Sequence, residues 1–84
     1  MEFEYTPRFL RSLKKLPPAA QKDIIEAVKC FADSPHHPQL KLHRLSGRMK
    51  GLSAFSANFS FRVVIQTHKG RVYFVDVGNH DIYE

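Results

Sequence analysis

The sequence contains few of the residues that stabilise very small proteins by cross-linking. Its 84 residues include one cysteine, Cys30, and no tryptophan. A single cysteine excludes an intrachain disulfide, and no Cys/His spacing typical of a structural metal site occurs. We therefore expect no metal or other cofactor. A lone cysteine is typical of a reducing compartment, which favours a cytoplasmic protein, and Cys30 itself is expected in the core.

Long apolar segments are also missing. No run approaches the ~20 residues that a membrane-spanning helix needs. The acidic start, MEFEY, differs from the cationic start of a signal peptide. We expect a cytoplasmic protein without a membrane partner, folded as a single domain over residues 1–84.

Acidic residues are absent from residues 34–75, although the whole chain has 13 Lys and Arg against 8 Asp and Glu. The basic residues of that stretch are Lys41, Arg44, Arg48, Lys50, Arg62, Lys69 and Arg71. A surface built from such a stretch attracts polyanions, so we expect nucleic-acid contact, with Lys41, Arg44, Arg48 and Lys50 as RNA-binding residues. A solvated basic face without a ligand is the alternative. An anionic membrane is less favoured, because no long amphipathic helix carries these charges.

Apolar spacing predicts a strand and two helices in the first half. Residues 3–6 alternate as a short strand does, and Thr6 can cap a helix that starts at Pro7. The predicted apolar stripe of this helix is Phe9, Leu10, Leu13 and Leu16. Prolines 17 and 18 separate it from a second helix, whose predicted stripe is Ile24, Ile25, Val28, Phe31 and Ala32.

The second half is typical of β-structure. After a segment at 40–45 and a turn at Ser46-Gly47, strands are predicted at about 50–57, 59–67 and 71–77. Asn58 and His68-Lys69-Gly70 are the predicted turns between these strands, the latter a hairpin turn. The predicted fold class is α+β, with the order β-α-α-β-β-β. The helical hairpin should pack on one face of an antiparallel sheet and leave the other face open.

Four residues in this half are candidates for catalysis: His43, Arg62, His80 and Tyr83. A cation in the middle of an apolar strand is costly unless it is paired, so Arg62 should either pair with Asp76 or point into an open groove. His36, His37 and His68 are expected to be solvated loop residues. Imidazoles can move protons near neutral pH, and arginine binds phosphate oxygens with a forked cation. Together with an aromatic that stacks a base, this set suits RNA cleavage by the RNA's own 2′-hydroxyl.

Four stretches also carry a family resemblance: YTPRFLRSLKKLP (5–17), LHRLSGRMKGL (42–52), FRVVI (61–65) and VGNHDIY (77–83). In this order and spacing they resemble the RelE/ParE superfamily of type II toxins, and most closely its branch of RelE- and YafQ-like messenger-RNA interferases. The resemblance covers nearly the whole chain. It implies the fold described above and a toxin that cleaves messenger RNA on the ribosome.

Carried over by position, the resemblance gives each candidate a role. His43 matches a histidine of YafQ-like enzymes, Arg62 matches a phosphate-contacting arginine of RelE-like enzymes, and His80 matches the catalytic position after the final glycine. Tyr83 lies near the C-terminal aromatic of both groups, in a shifted register.

The sequence also departs from both patterns. YafQ-like enzymes have a second histidine where this chain has Ser56, and an aspartate near Ser60. RelE-like enzymes carry strand lysines near Ser53 and Phe55, and Lys50 could substitute for them. The resemblance therefore implies a variant active site.

The implied partners are a cognate antitoxin, the ribosome with its messenger RNA, and operator DNA through the antitoxin complex. Because the protein is basic, the antitoxin segment is expected to be acidic. Two alternatives share the fold: a ParE-like inhibitor of DNA gyrase, and a nontoxic member that only binds an antitoxin. The imidazole and arginine set favours cleavage, because a gyrase inhibitor does not need it.

Overall fold

A computed structural model describes residues 2–79 and has the predicted order of one strand, two helices and a strand-rich second half. The first half consists of β1 (Glu2–Tyr5), α1 (Pro7–Lys14) and α2 (Pro18–Asp33). The strands of the second half are β2 (His43–Arg44), β3 (Ser53–Ser56), β4 (Arg62–His68) and β5 (Arg71–Gly78). Short 3₁₀ turns cover Pro38–Leu40 and Gly47–Met49. Within the described residues, no helix is long and apolar enough to cross a membrane.

The start of α1 follows the capping pattern in the sequence. The side-chain oxygen of Thr6 accepts a hydrogen bond from the Phe9 N–H at 3.2 Å. Pro7 occupies the first turn, where a backbone N–H has no helical partner in any case. The Thr6 hydroxyl also donates to the carbonyl of Phe74 at 2.7 Å, which ties the beginning of α1 to β5.

The core lies between the helices and one face of the sheet. The buried side chains of α2 recur every three or four residues, and they are Ala20, Ile24, Ala27 and Phe31. Phe31 stacks on Phe55 of β3 with ring centroids 4.8 Å apart. Phe9 of α1 meets Phe74 of β5 edge-on at 5.6 Å. Aromatic contacts therefore join both helices to the sheet.

Three residues predicted to pack are exposed instead, and these predictions were wrong. Leu10 and Ile25 keep 44% and 46% of their surface accessible, and Ala32 is also exposed. Each directly follows a buried residue, so it is rotated by about 100° around the helix axis, away from the sheet. Alanines 20 and 27 take the inward positions on α2.

The sheet has the strand order β1-β5-β4-β3-β2, and its neighbours are antiparallel except for β1 and β5, which run parallel. The α+β prediction is therefore confirmed, with one parallel pairing at an edge. Arg71 of β5 forms ion pairs with Glu2 and Glu4 of β1. Hydrogen bonding and charge attraction from Glu2 raise the pKa of Arg71. The glutamates thus offset the positive charge of Arg71 at the β1 edge.

Asp76 connects β5 to α1 rather than to Arg62. Its carboxylate accepts hydrogen bonds from the Ser12 hydroxyl at 2.6 Å, the Val77 N–H at 2.9 Å and the Arg8 Nε at 3.1 Å. The Asp76 side chain is only 14% exposed, whereas that of Arg8 is 71% exposed. The possible Arg62–Asp76 pair is therefore ruled out, because the Asp76 oxygens already bind α1.

We expect Asp76→Ala to lower the free energy of unfolding by about 2 kcal/mol, because it strands the Ser12 hydroxyl in a part-buried position and removes a charge-assisted contact. Arg8→Ala should cost less than about 1 kcal/mol, since Arg8 is mostly solvated. Urea denaturation of both variants measures the difference. Equal losses for the two variants would contradict this account.

Candidate functional site

The strand register places His43 and Arg62 on the same face of the sheet. His43 pairs with Ala54, which pairs with Val64, and directly paired residues point to the same side. Arg62, two residues before Val64, shares that side because side chains alternate along a strand. Phe55 and Val63 lie between them in register and point into the core. We call the side away from α2 the outer face.

The outer face is not open throughout. Ala54 and Val64 have no accessible surface, although they point away from α2. His43 beside them is exposed, and Arg62 is half-buried. The prediction of an open face is therefore correct only for its polar positions, which border a buried apolar strip.

Arg62 is held by the turn that precedes it. Its Nη1 donates to the carbonyl oxygens of Asn58, Phe61 and Phe59 at 3.0, 3.1 and 3.4 Å. The Asn58 side-chain oxygen organises this turn by accepting from the N–H groups of Ser60 and Phe61, both at 2.8 Å. Three carbonyl dipoles thus balance the half-buried cation and fix one end of the guanidinium.

His43 has a defined ring orientation. Its Nδ1 lies 2.9 Å from the carbonyl oxygen of Lys41. A carbonyl oxygen only accepts, so this bond requires a hydrogen on Nδ1. In the neutral ring, Nε2 then carries the lone pair, which is the form that a general base needs. The left-handed backbone of Lys41, with φ of 52°, belongs to the bend that brings this carbonyl under the ring.

His43 and Arg62 are separated by two strand spacings and by two residues along the strand. Ordinary sheet dimensions put their Cα atoms roughly 12 Å apart. The two side chains therefore lie on either side of a shared surface without direct contact.

The four predicted RNA-binding residues all lie at the β2 end of the sheet and are exposed: Lys41, Arg44, Arg48 and Lys50. Lys41 and Arg44 enclose His43, and Arg48 and Lys50 follow in the loop to β3. This loop turns at Gly47, whose φ of 63° is a conformation that glycine adopts without strain. We call the four residues the basic edge. Its charges form no ion pair among the described residues.

The remaining two candidates, His80 and Tyr83, lie outside the described residues. Gly78, the last residue of β5, is paired with Arg62. The chain therefore leaves the sheet beside Arg62, with His80 two residues further along the sequence. The roles of both residues stay predictions.

The sequence did not indicate two features near Arg62. Phe59 was predicted inside a strand but lies in the turn, with 94% of its surface exposed. Asn58 was predicted as a turn residue, but its bond to Asp23 of α2 at 2.9 Å was not foreseen. A turn signal in the sequence locates Asn58 but does not identify its partner, because that contact joins residues 35 positions apart.

Comparison with known proteins gives matches in structure but not in sequence. No protein-family model and no curated protein matches the chain. YafQ from E. coli superposes with a TM-score of 0.74 at 17% identity, covering 96% of this chain and 94% of that one. A YoeB/ParE toxin from Agrobacterium tumefaciens gives 0.74 at 16% identity, covering 95% and 99%. The RelBE2 toxin-antitoxin complex from Mycobacterium tuberculosis gives 0.66 at 22% identity, covering 94% and 96%.

These matches extend over nearly the full length of both chains in each pair, so they concern the whole arrangement of helices and strands. The matched structures are toxins of the type that the four short sequence stretches resemble, and the likeness is one of fold. This chain has the fold of the RelE/ParE-type toxins.

Proposed function

We propose that the protein is the toxin of a type II toxin–antitoxin system and that it cleaves messenger RNA on the ribosome. The observation that carries this proposal is the placement of His43 and Arg62 on one sheet face beside the basic edge, in a fold shared with YafQ and YoeB. A base, a fixed cation and a positive approach surface are what RNA cleavage by a neighbouring 2′-hydroxyl requires.

In the proposed reaction, an imidazole takes the proton of the 2′-hydroxyl, and the 2′-oxygen attacks the adjacent phosphorus. The P–O bond to the 5′-oxygen breaks, and a protonated imidazole returns a proton to that oxygen, leaving a 2′,3′-cyclic phosphate. His43 and His80 are the candidates for these two proton transfers. Arg62 is proposed to bind the phosphate oxygens, and Tyr83 to stack an unpaired base.

The turn carbonyls support the role of Arg62. A guanidinium whose Nη1 is anchored does not have to be ordered when substrate arrives, so less conformational entropy is lost on binding. The basic edge then serves a different purpose, since its flexible exposed cations attract the RNA backbone without reading its sequence.

An antitoxin is the proposed protein partner, with operator DNA bound through the complex. RelBE2 from Mycobacterium tuberculosis and YoeB-YefM from Staphylococcus aureus are both toxin-antitoxin complexes with this fold. The basic edge of this chain is a surface that a partner with acidic residues could cover.

Cell-free translation with the purified protein tests the function. Cleavage sites on the message, mapped with and without ribosomes, should appear only when ribosomes are present and translating. Intact messages combined with loss of DNA gyrase supercoiling activity would favour the ParE-like alternative. Intact messages with normal gyrase activity would favour a nontoxic antitoxin-binding member.

Charge reversal on the basic edge should weaken ribosome-dependent cleavage. For the double variant Arg48→Glu and Lys50→Glu we expect about tenfold less cleavage at ~0.1 M salt and a smaller salt dependence, because two phosphate contacts are lost. The matched control is Lys14→Glu with Lys15→Glu, which makes the same change in net charge at the exposed end of α1. An equal loss in both double variants would show that net charge, and not this edge, determines binding.

A further inference from the structure

A groove lies between α2 and the end of β3, beside Arg62. It has a volume of about 690 Å³ and is lined by residues of α2, by residues 39–41 and 56–59, and by Arg62 itself. The Arg62 guanidinium lies against the Asn58 turn, whose carbonyls accept hydrogen bonds from its Nη1. The groove therefore adjoins the group that is proposed to bind the scissile phosphate, and a space of this size is large enough for one nucleotide.

Two cations give the groove a path for an RNA backbone. Lys41 belongs to the basic edge and also lines the groove, so the positive approach surface continues into it. The Lys41 side chain is exposed, whereas Arg62 is half-buried and held by the turn. A backbone that is bound along the basic edge can thus extend past Lys41 to Arg62.

Phe59 gives the groove an aromatic surface. Its side chain is 94% exposed, and its carbonyl oxygen lies 3.4 Å from the Arg62 Nη1. A partner gains free energy by covering an exposed ring of this size. Aromatic rings beside a cationic backbone path are typical of proteins that bind single-stranded nucleic acid, because every base has a π-face that can stack. An unpaired nucleotide is therefore the occupant that fits Phe59 together with the two cations.

Carboxylates on the α2 side of the groove favour one base over the others. Asp23 and Glu26 both line the groove and lie three residues apart on one helix face. Asp23 accepts a hydrogen bond from Asn58, whereas Glu26 is exposed and forms no ion pair within residues 2–79. A carboxylate only accepts hydrogen bonds, and its two oxygens suit two adjacent donors. Of the four RNA bases, guanine alone presents two such donors on its Watson–Crick edge, N1–H and the N2 amino group.

We propose that the groove binds an unpaired guanine nucleotide next to the cleaved bond. Its phosphate lies against Lys41 and Arg62, and its base stacks on Phe59. The N1–H and N2 amino group of the base donate to the Glu26 carboxylate, whose charge also keeps the phosphates away from α2. This inference rests on the proposed function, in which Arg62 binds the phosphate. It adds a second stacked base to the one assigned to Tyr83, and a residue that selects the cleavage site.

Binding of four non-cleavable trinucleotides to ¹⁵N-labelled protein tests the groove without relying on cleavage. The probes have the sequence AXA, with G, A, C or U at X, and carry 2′-O-methyl groups, which remove the attacking hydroxyl. We expect them to shift the amide signals of Asn58, Phe59 and Glu26, and we expect AGA to bind at least about fivefold more tightly than AUA. Phe59→Ala should weaken all four by about tenfold, the effect of losing one base stack, whereas Phe59→Tyr should keep the affinity.

Glu26→Gln should lower the preference for AGA over AUA to less than about twofold, because an amide replaces one of the two acceptors with a donor. Asp33→Asn removes the same charge further along α2, outside the groove lining, and should leave the preference intact. Ile25→Ala is the control for Phe59→Ala, since it removes an exposed apolar side chain that does not line the groove. It should leave the affinity unchanged.

Cleavage on programmed ribosomes separates this inference from the proposed function. If the wild-type protein cuts beside guanine and Glu26→Gln cuts without that preference, both are supported. If the wild-type protein cuts without a base preference, the function stands and the assignment of Glu26 is overturned. If it cuts no message, the proposed function fails, and the trinucleotide titration decides the groove. The groove proposal is overturned if the trinucleotides shift no amide of the Asn58 turn, if Phe59→Ala binds them as tightly as the wild type, or if Glu26→Gln keeps the guanine preference.

Discussion

Arg62→Ala is expected to lower the rate of ribosome-dependent message cleavage by about 10²–10³-fold, the usual effect of removing one preorganised group that stabilises a transition state. The Arg62 guanidinium lies on the outer face of the sheet, and its Nη1 donates hydrogen bonds to the carbonyls of Asn58, Phe59 and Phe61. Arg62→Lys keeps the charge but not the fork, so we expect an intermediate loss. Single-turnover cleavage on programmed ribosomes measures both variants.

A control must separate this role from the stability of the turn, because Arg62 also binds the turn carbonyls. Asn58→Ala removes the bonds to Ser60, Phe61 and Asp23 and leaves the guanidinium in place. It should lower stability while reducing cleavage by less than about tenfold, measured well below its midpoint of unfolding. If Asn58→Ala costs as much cleavage as Arg62→Ala, the arginine acts only through the turn.

His80→Ala is expected to abolish growth arrest on induction and to lower cleavage by about 10²–10⁴-fold, the range for loss of a general acid or base. The expectation rests on the position of His80 after Gly78, which pairs with Arg62, and on the match of this position to the catalytic one in the resembled family. Growth curves after induction and cleavage assays with purified protein measure the two effects.

His68→Ala is the matched control, since His68 is an exposed imidazole at the end of β4 and is given no catalytic role. His43→Ala completes the set. If one of His43 and His80 acts as the general base and the other as the general acid, each single variant should lose most of the cleavage activity. The double variant should then lose little more. Undiminished toxicity of His80→Ala would refute its role.

Much of the fold could be predicted because its signals are local. Thr6 and Pro7 indicated the start of α1, the two prolines at 17 and 18 its separation from α2, and His68-Lys69-Gly70 the hairpin between β4 and β5. Helix orientation was harder. The apolar residues Leu10 and Ile25 were assigned to the core, but both are exposed, whereas Ala20 and Ala27 of α2 are buried.

The candidate site was predicted in composition but not in geometry. The residue types and the resemblance selected His43, Arg62 and the basic edge, and the structure puts all of them at the β2–β4 end of the sheet. The partner of Arg62 was not predictable. Asp76 lies on β5, the strand next to β4, so it was a possible partner of Arg62. Its carboxylate instead accepts a hydrogen bond from Ser12 of α1, which lies 64 residues earlier in the sequence.

The sequence by itself determined the elements, the fold class and the sign of the charge, since capping, alternation and composition act within a few neighbouring residues. Only the tertiary structure decided what each polar side chain meets. It paired β1 with β5 and directed Asp76 to α1 and Arg62 to the Asn58 turn. These outcomes depend on contacts between distant segments, whose free energies are settled only when the whole chain packs.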